Sequence, residues 1–161
     1  MKLFLPGGAG LVGLNLIHLL ITDHPKWEII VVDKKKESIE IAKNLFLISN
    51  IIFLCEDLNN SKTTKWPLLI QDCDACVMLQ AEIGNKNNKE FWINNVQSTE
   101  IVLNELKKNN IKRLVHISSS VVNSVSNDLY TITKRKQEEL VIREWNNPVI
   151  LSPTLMFGWF D

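Results

Sequence analysis

The sequence predicts an α/β fold, a doubly wound parallel sheet of about six strands with helices on both faces. Three observations predict it. Short apolar runs alternate with longer amphipathic stretches along the whole chain. The short runs are nearly continuous in Val, Ile, Leu and Phe, the pattern of strands buried on both faces. A glycine-rich turn stands between the first run and the first helical stretch, and right-handed crossovers then stack successive units on alternate sides of one sheet.

The elements follow in order. Lys2 to Leu5 reads as a first strand, and Leu11 to Thr22 as a helix. Glu28 to Asp33 is a β-branched strand ending in an acid, Ser38 to Leu47 a helix and Ile51 to Leu54 a strand. Asp57 to Gln71 is polar and irregular, with room for one short helix, and Trp66-Pro67 interrupts it. Ala75 to Leu79 is a strand, Lys89 to Lys108 the longest helical pattern, and Arg113 to Ser118 a strand. Asp128 to Trp145 is a helix and Pro148 to Leu151 the last strand. The apolar, aromatic tail from Ser152 to Asp161 is expected to fold back on this domain or to lead into more protein.

At 161 residues, 45% hydrophobic and 22% charged, the chain suits a single globular domain, residues 1–161. Eighteen basic and eighteen acidic residues cancel, so no global field draws nucleic acid or an anionic membrane. No apolar run reaches the roughly 18 residues of a membrane span. Met1-Lys2 and the apolar stretch after it only superficially resemble a signal peptide, because Pro6-Gly7-Gly8 breaks the stretch at once. Three cysteines cannot all pair, which favours a reducing compartment, the cytoplasm. Cys73 and Cys76 form a C-x-x-C with no second ligand pair, so burial is expected there and no metal site.

Gly7, Gly10 and Gly13 form a G-x-x-G-x-x-G turn between strand and helix. One glycine permits positive φ, one lets the backbone approach a pyrophosphate, and one lets helix and strand pack closely. The helix start at Leu11 and Val12 offers free N–H groups and the positive dipole end to phosphate. Asp33 closes the second strand, 20 residues past Gly13. A carboxylate there accepts hydrogen bonds from the adenosine ribose hydroxyls and repels a 2′-phosphate, favouring NAD over NADP. Lys34 next to it is the residue that would tolerate NADP.

Tyr130 and Lys134 stand four apart at the start of a helix, so they share one face. A cation beside a phenol favours the phenolate, which can take a proton from an alcohol as hydride leaves the same carbon. Ser118, Ser119 and Ser120 end the preceding strand, at the carboxyl end where ligands of parallel sheets bind.

These motifs, in this order, resemble the extended short-chain dehydrogenase/reductase superfamily, in its NAD-dependent nucleotide-sugar epimerase/dehydratase branch. The resemblance covers the whole chain and implies a Rossmann-like NAD(P)-binding domain. It implies that Asp57-Leu58 faces the adenine and that Leu79, Gln80 and Ala81 line the cofactor. Asn95-Val96-Gln97-Ser98-Thr99 resembles the N-V-x-G-T helix motif, which adds Asn95 to the cofactor residues. Pro153 and Phe157-Gly158 resemble the R-P-x-x-x-[YF]-G segment, which adds Pro153. It implies Tyr130 as base, Lys134 on the nicotinamide ribose, Ser119 as the orienting serine with Ser120 second, and Ser118 against the cofactor. The sequence departs from the pattern at Met78 for His, Gln80 for Ala, Ser98 for Gly and Ser152 for Arg.

The implied activity is hydride transfer between a sugar carbinol and NAD, as in a nucleotide-sugar epimerase. The other reading is a non-catalytic cofactor-binding module, redox-sensing or scaffolding, or a truncated product, because the C-terminal substrate lobe of the family is absent after Asp161. The resemblance also implies a homodimer through helices 89–108 and 128–145, with Phe91, Ile101, Val102, Leu140 and Val141 able to supply contacts.

Overall fold

The structure, a computed structural model, describes residues 1–84 and 88–161. Its strands are β1 Lys2–Pro6, β2 Glu28–Asp33, β3 Ile51–Cys55, β4 Ala75–Met78, β5 Arg113–Ile117 and β6 Val149–Leu151. Its helices are α1 Leu11–Asp23, α2 Lys36–Leu45, α3 Trp66–Leu69, α4 Asn88–Phe91, α5 Ser98–Lys108 and α6 Leu129–Glu144. All six strands are parallel, in the order β3-β2-β1-β4-β5-β6. Strand order reverses between β1 and β4, and the carboxyl ends of those two strands open the crevice where such sheets bind ligands.

Burial follows the strand pattern. Phe4, Leu5, Val31 and Val32 are wholly buried in the central strands. The edge strands depart from the expectation of strands covered on both faces. Ile52 on β3 and Val149 and Leu151 on β6, the two edge strands, are exposed. One core layer gathers Phe4, Met78, Leu103, Leu106 and Leu114 under α5 and α6. The other gathers Leu5, Ile17, Val31, Ile39 and Phe46 under α1 and α2.

Three local readings change. Trp66-Pro67 does not interrupt a segment but starts α3, with proline in its first turn, where its missing N–H costs nothing. Trp66 is fully buried and stacks on Phe4 at 5.5 Å. The long helical pattern from Lys89 to Lys108 is not one α-helix, since Trp92–Gln97 between α4 and α5 is wound as a π-helix. The Ser98 hydroxyl donates to the carbonyl of Asn94 and the Thr99 hydroxyl to that of Asn95, bonds that compete with the regular ladder. The side chain of Asn95 is meanwhile held by Glu82.

The third change concerns the helix faces. Phe91, Val102, Leu140 and Val141 are buried inside this one chain and Ile101 packs against the same core, so they are not free to contact a second subunit. The large apolar side chains exposed along these segments are Trp92 and Ile142. Part of the tail does fold back. Phe160 packs edge-on to Phe46 at 5.7 Å, Trp159 packs on His18 at 5.0 Å, and the Trp159 amide donates to Asn15 Oδ1 at 3.1 Å.

Candidate functional site

The glycine turn is built as the spacing predicts. Gly7 has φ +75°, and a Cβ there would lie 2.5 Å from the backbone of Gln80, so the turn packs directly on the segment after β4. A Cβ on Gly13 would collide with the carbonyl of Gly8, which holds α1 close to the turn. Gly10 differs, since a Cβ there would meet only the Gly7 carbonyl oxygen, at 3.7 Å. The room beside Gly10 is open to the crevice, and α1 begins at Leu11 with no side chain capping its first amides. Free amides at a helix start, reached over a glycine, fit a pyrophosphate.

A cleft of about 460 Å³ runs from this turn along the carboxyl ends of the strands. It brings together fifteen of the predicted residues: Gly7, Gly10, Leu11, Val12, Gly13, Asp33, Lys34, Asp57, Leu58, Leu79, Gln80, Ala81, Ser118, Tyr130 and Lys134. At one end Asp33 accepts a hydrogen bond from the Lys35 amide at 3.1 Å. Burial raises its carboxyl above the usual range, against the lowering effect of that amide and of the Lys35 charge. Asp57 accepts from the amide and the side chain of Asn59, both at 2.9 Å.

At the other end stand Tyr130 and Lys134. Asp128 caps α6 by accepting from the Thr131 amide at 2.8 Å. The hydrogen bonds from Ser126 and Thr131 pull its carboxyl down to about 2. Lys134 is 1% exposed. Its ammonium donates to the Ile117 carbonyl at 3.1 Å and to Gln137 Oε1 at 2.6 Å. Burial lowers its pKa to about 8, and the nearby Glu138 carboxylate opposes that fall. Behind it on β5, His116 is fully buried, and desolvation together with the Lys134 charge lowers its pKa to about 3. It is therefore neutral at physiological pH.

The three serines separate. Ser118 is on the cleft wall, and its hydroxyl donates to Glu138. Ser119 caps a short 3-10 turn, Ser120–Asn123, by accepting from the Val121 amide at 3.4 Å. The Ser120 amide donates to the Pro153 carbonyl at 2.9 Å, while its hydroxyl makes no hydrogen bond among the described residues. Neither Ser119, Ser120 nor Pro153 lines the cleft.

Asn95 also lies off the wall. It is fully buried, accepts from the Glu82 amide at 2.6 Å, and donates to the Glu82 carbonyl and to Thr133 Oγ1. It ties the segment after β4 to α6.

Sequence reading missed other residues on the wall. They include Ser38, Asn59, Glu82, Asn94 and Ser98, and the stretch Thr154 to Met156. Asn59 and Ser98 had a signal, since each sits inside or next to a recognised motif. Glu82 and Asn94 had none, because the π-helical turn is what brings Asn94 Nδ2 to within 3.1 Å of Glu82 Oε2.

Solved structures share this fold. The UDP-glucuronic acid 4-epimerase of Bacillus cereus, crystallised with NAD, superposes with a TM-score of 0.85 at 25% identity, over 98% of this chain and 58% of that one. The dTDP-glucose 4,6-dehydratase of Bacillus anthracis, also in complex with NAD, shares the fold with a TM-score of 0.75 at 21% identity, over 89% of this chain and 50% of that one.

Among curated proteins, a trifunctional enzyme of Arabidopsis thaliana is 26% identical over 129 residues. It is named for three activities, UDP-glucose 4,6-dehydratase, UDP-4-keto-6-deoxy-D-glucose 3,5-epimerase and UDP-4-keto-L-rhamnose-reductase. That match takes in 75% of this chain and 19% of the plant protein, so the chain spans a minor part of that relative and about half of each solved structure. The sequence signature of the NAD dependent epimerase/dehydratase family matches residues 3–158. A glycine turn, the acid that ends β2 and a Tyr/Lys helix thus share one cleft inside a family match that runs almost end to end, and the chain belongs to the NAD-dependent epimerase/dehydratase family.

Proposed function

We propose that this chain binds NAD in the cleft and that Tyr130 and Lys134 serve hydride transfer at a carbinol carbon of a nucleotide-sugar, as in an epimerase. One observation carries the reading: Tyr130 and Lys134 line the same cleft as the glycine turn and Asp33. The residues present fit the cofactor. Gly10 leaves room for a pyrophosphate, the first amides of α1 receive it, and Asp33 with Asp57 receives the adenosine end. NAD, when bound, supplies the hydride acceptor.

The chain's own groups handle the proton and the geometry. Tyr130, as its phenolate, takes the proton of the sugar hydroxyl, and the Lys134 ammonium stands one turn further along the same helix. Ser119 and Ser120 stand in the turn directly beyond β5. Ser119, with Ser120 second, is the serine that would hold the substrate oxygen, since accepting from the Val121 amide leaves the Ser119 hydroxyl proton free to donate. Asp33 sets the preference for NAD over NADP. Free Cys55, Cys73 and Cys76 suit a reducing compartment, the cytoplasm. A homodimer through the segments 89–108 and 128–145 rests on exposed Trp92 and Ile142.

The test is transfer of hydride. The chain is mixed with NAD and a panel of UDP- and dTDP-hexoses, and reduced nicotinamide is followed by absorbance. Reduction by at least one sugar is the expected result. NAD binding with no reduction by any of them would replace this reading with that of a non-catalytic binding module.

A further inference from the structure

Lys134 is held in a buried hydrogen-bond chain that none of the motifs accounts for. Gln137, one turn further along α6, is fully buried. Its Oε1 accepts from the Lys134 ammonium at 2.6 Å. Its Nε2 donates to the Gln80 carbonyl at 3.3 Å and to Thr99 Oγ1 at 2.9 Å. Thr99, buried at the start of α5, donates its hydroxyl in turn to the Asn95 carbonyl at 2.8 Å. The Gln80 side-chain Nε2 adds a second donor to Thr99 Oγ1 at 3.3 Å.

The direction of the chain is fixed. An ammonium can only donate, so the glutamine must present its oxygen to Lys134 and its nitrogen to Thr99. Hydrogen bonds in series, all out of water, polarise one another.

The count at Lys134 is informative. An ammonium has three donors. Ile117 and Gln137 take two, and the third is left for the cleft that Lys134 lines. We propose that Gln137 is a positioning residue for Lys134, fixing its ammonium with one N–H toward the cleft and keeping it charged, with Thr99 and the Gln80 carbonyl fixing Gln137 in turn.

This rests on the reading that Lys134 serves a ligand in the cleft. Glutamine supplies an acceptor without a charge, so it steadies the ammonium and does not add a salt bridge. The charged and titratable groups around Lys134 are Glu138 and Tyr130 on its own helix and His116 on β5, with Glu82 across the cleft wall. His116 is held neutral, which leaves Glu138 as the counter-charge and Gln137 as the side chain that accepts directly from the ammonium.

The test reads the lysine itself. Lysine labelled with carbon-13 at Cε is titrated by NMR in the 161-residue chain, and the Lys134 signal is identified by its loss in Lys134→Arg. Gln137→Met keeps the length and removes the acceptor. It is expected to lower the Lys134 midpoint by about one pH unit. Gln137→Glu keeps the acceptor and adds charge, and is expected to raise the midpoint by a similar amount. NAD affinity, titrated across the same pH range, is expected to fall away at lower pH in Gln137→Met than in the wild type. A midpoint unmoved in the folded variants would overturn the proposal, and where Gln137→Met does not fold, Gln137→Glu decides alone. The reading of Lys134 fails separately, if NAD binds with an affinity that does not follow the lysine midpoint at all.

Discussion

Replacing Gly13 by alanine is expected to lower the stability of the chain by on the order of 3 kcal/mol, roughly 10 °C in melting temperature. The cause is backbone against backbone. The new Cβ would collide with the carbonyl of Gly8, and no side chain stands between them to move aside. α1 would have to slide off the turn, disturbing Leu14 and Ile17 in the core beneath it. Gly10→Ala is the matched control. Its Cβ would find open space apart from one contact at 3.7 Å, so the fold should lose less than about 1 kcal/mol. That variant should instead fill the room assigned to the pyrophosphate and weaken NAD binding about tenfold or more. Thermal melts of both variants, with an NAD titration of the second, check the pair. Equal melting temperatures for the two variants would contradict the division of labour within the turn.

Tyr130→Phe is expected to reduce hydride transfer by roughly 100- to 10,000-fold, the usual worth of a positioned acid–base group. NAD affinity should change little, because the ring and its packing remain. Tyr130 is the second residue of α6, two past the Asp128 cap, so losing the hydroxyl leaves the helix start intact. Single-turnover reduction of NAD by whichever sugar is active in the wild type measures the loss. A loss confined to the affinity for the sugar, with the transfer rate unchanged, would remove Tyr130 from the role of base.

Much of this was legible before any coordinates, and the reasons are local. Strands of unbroken Val, Ile and Leu leave few alternatives to a covered parallel sheet. The glycines at 7 and 13 are required by positive φ and by backbone contact, constraints that no other residue satisfies. Asp33 and Tyr130 with Lys134 were readable because strand ends and the four-residue helix spacing fix where side chains go. The misses share a different cause. Asn95 sits within a recognised motif but turns away from the cleft to hold Glu82 and Thr133, because the π-helical turn rotates that face. Gln137 lies 57 residues from Gln80 and looks like an ordinary polar position, so only folding brings it between Gln80 and Lys134. Val102 and Val141 read as helix-face contacts because periodicity shows which face is apolar, not what covers it.

The account stands or falls on what the cleft binds. Calorimetric titration of the chain with NAD and with NADP, repeated on Asp33→Ser, is the most direct measurement. The wild type is expected to bind NAD at least tenfold more tightly than NADP, and the preference to shrink in the variant, which lacks the carboxylate proposed to bind the ribose and repel a 2′-phosphate. Tighter binding of NADP, or a preference unaltered by Asp33→Ser, would contradict it.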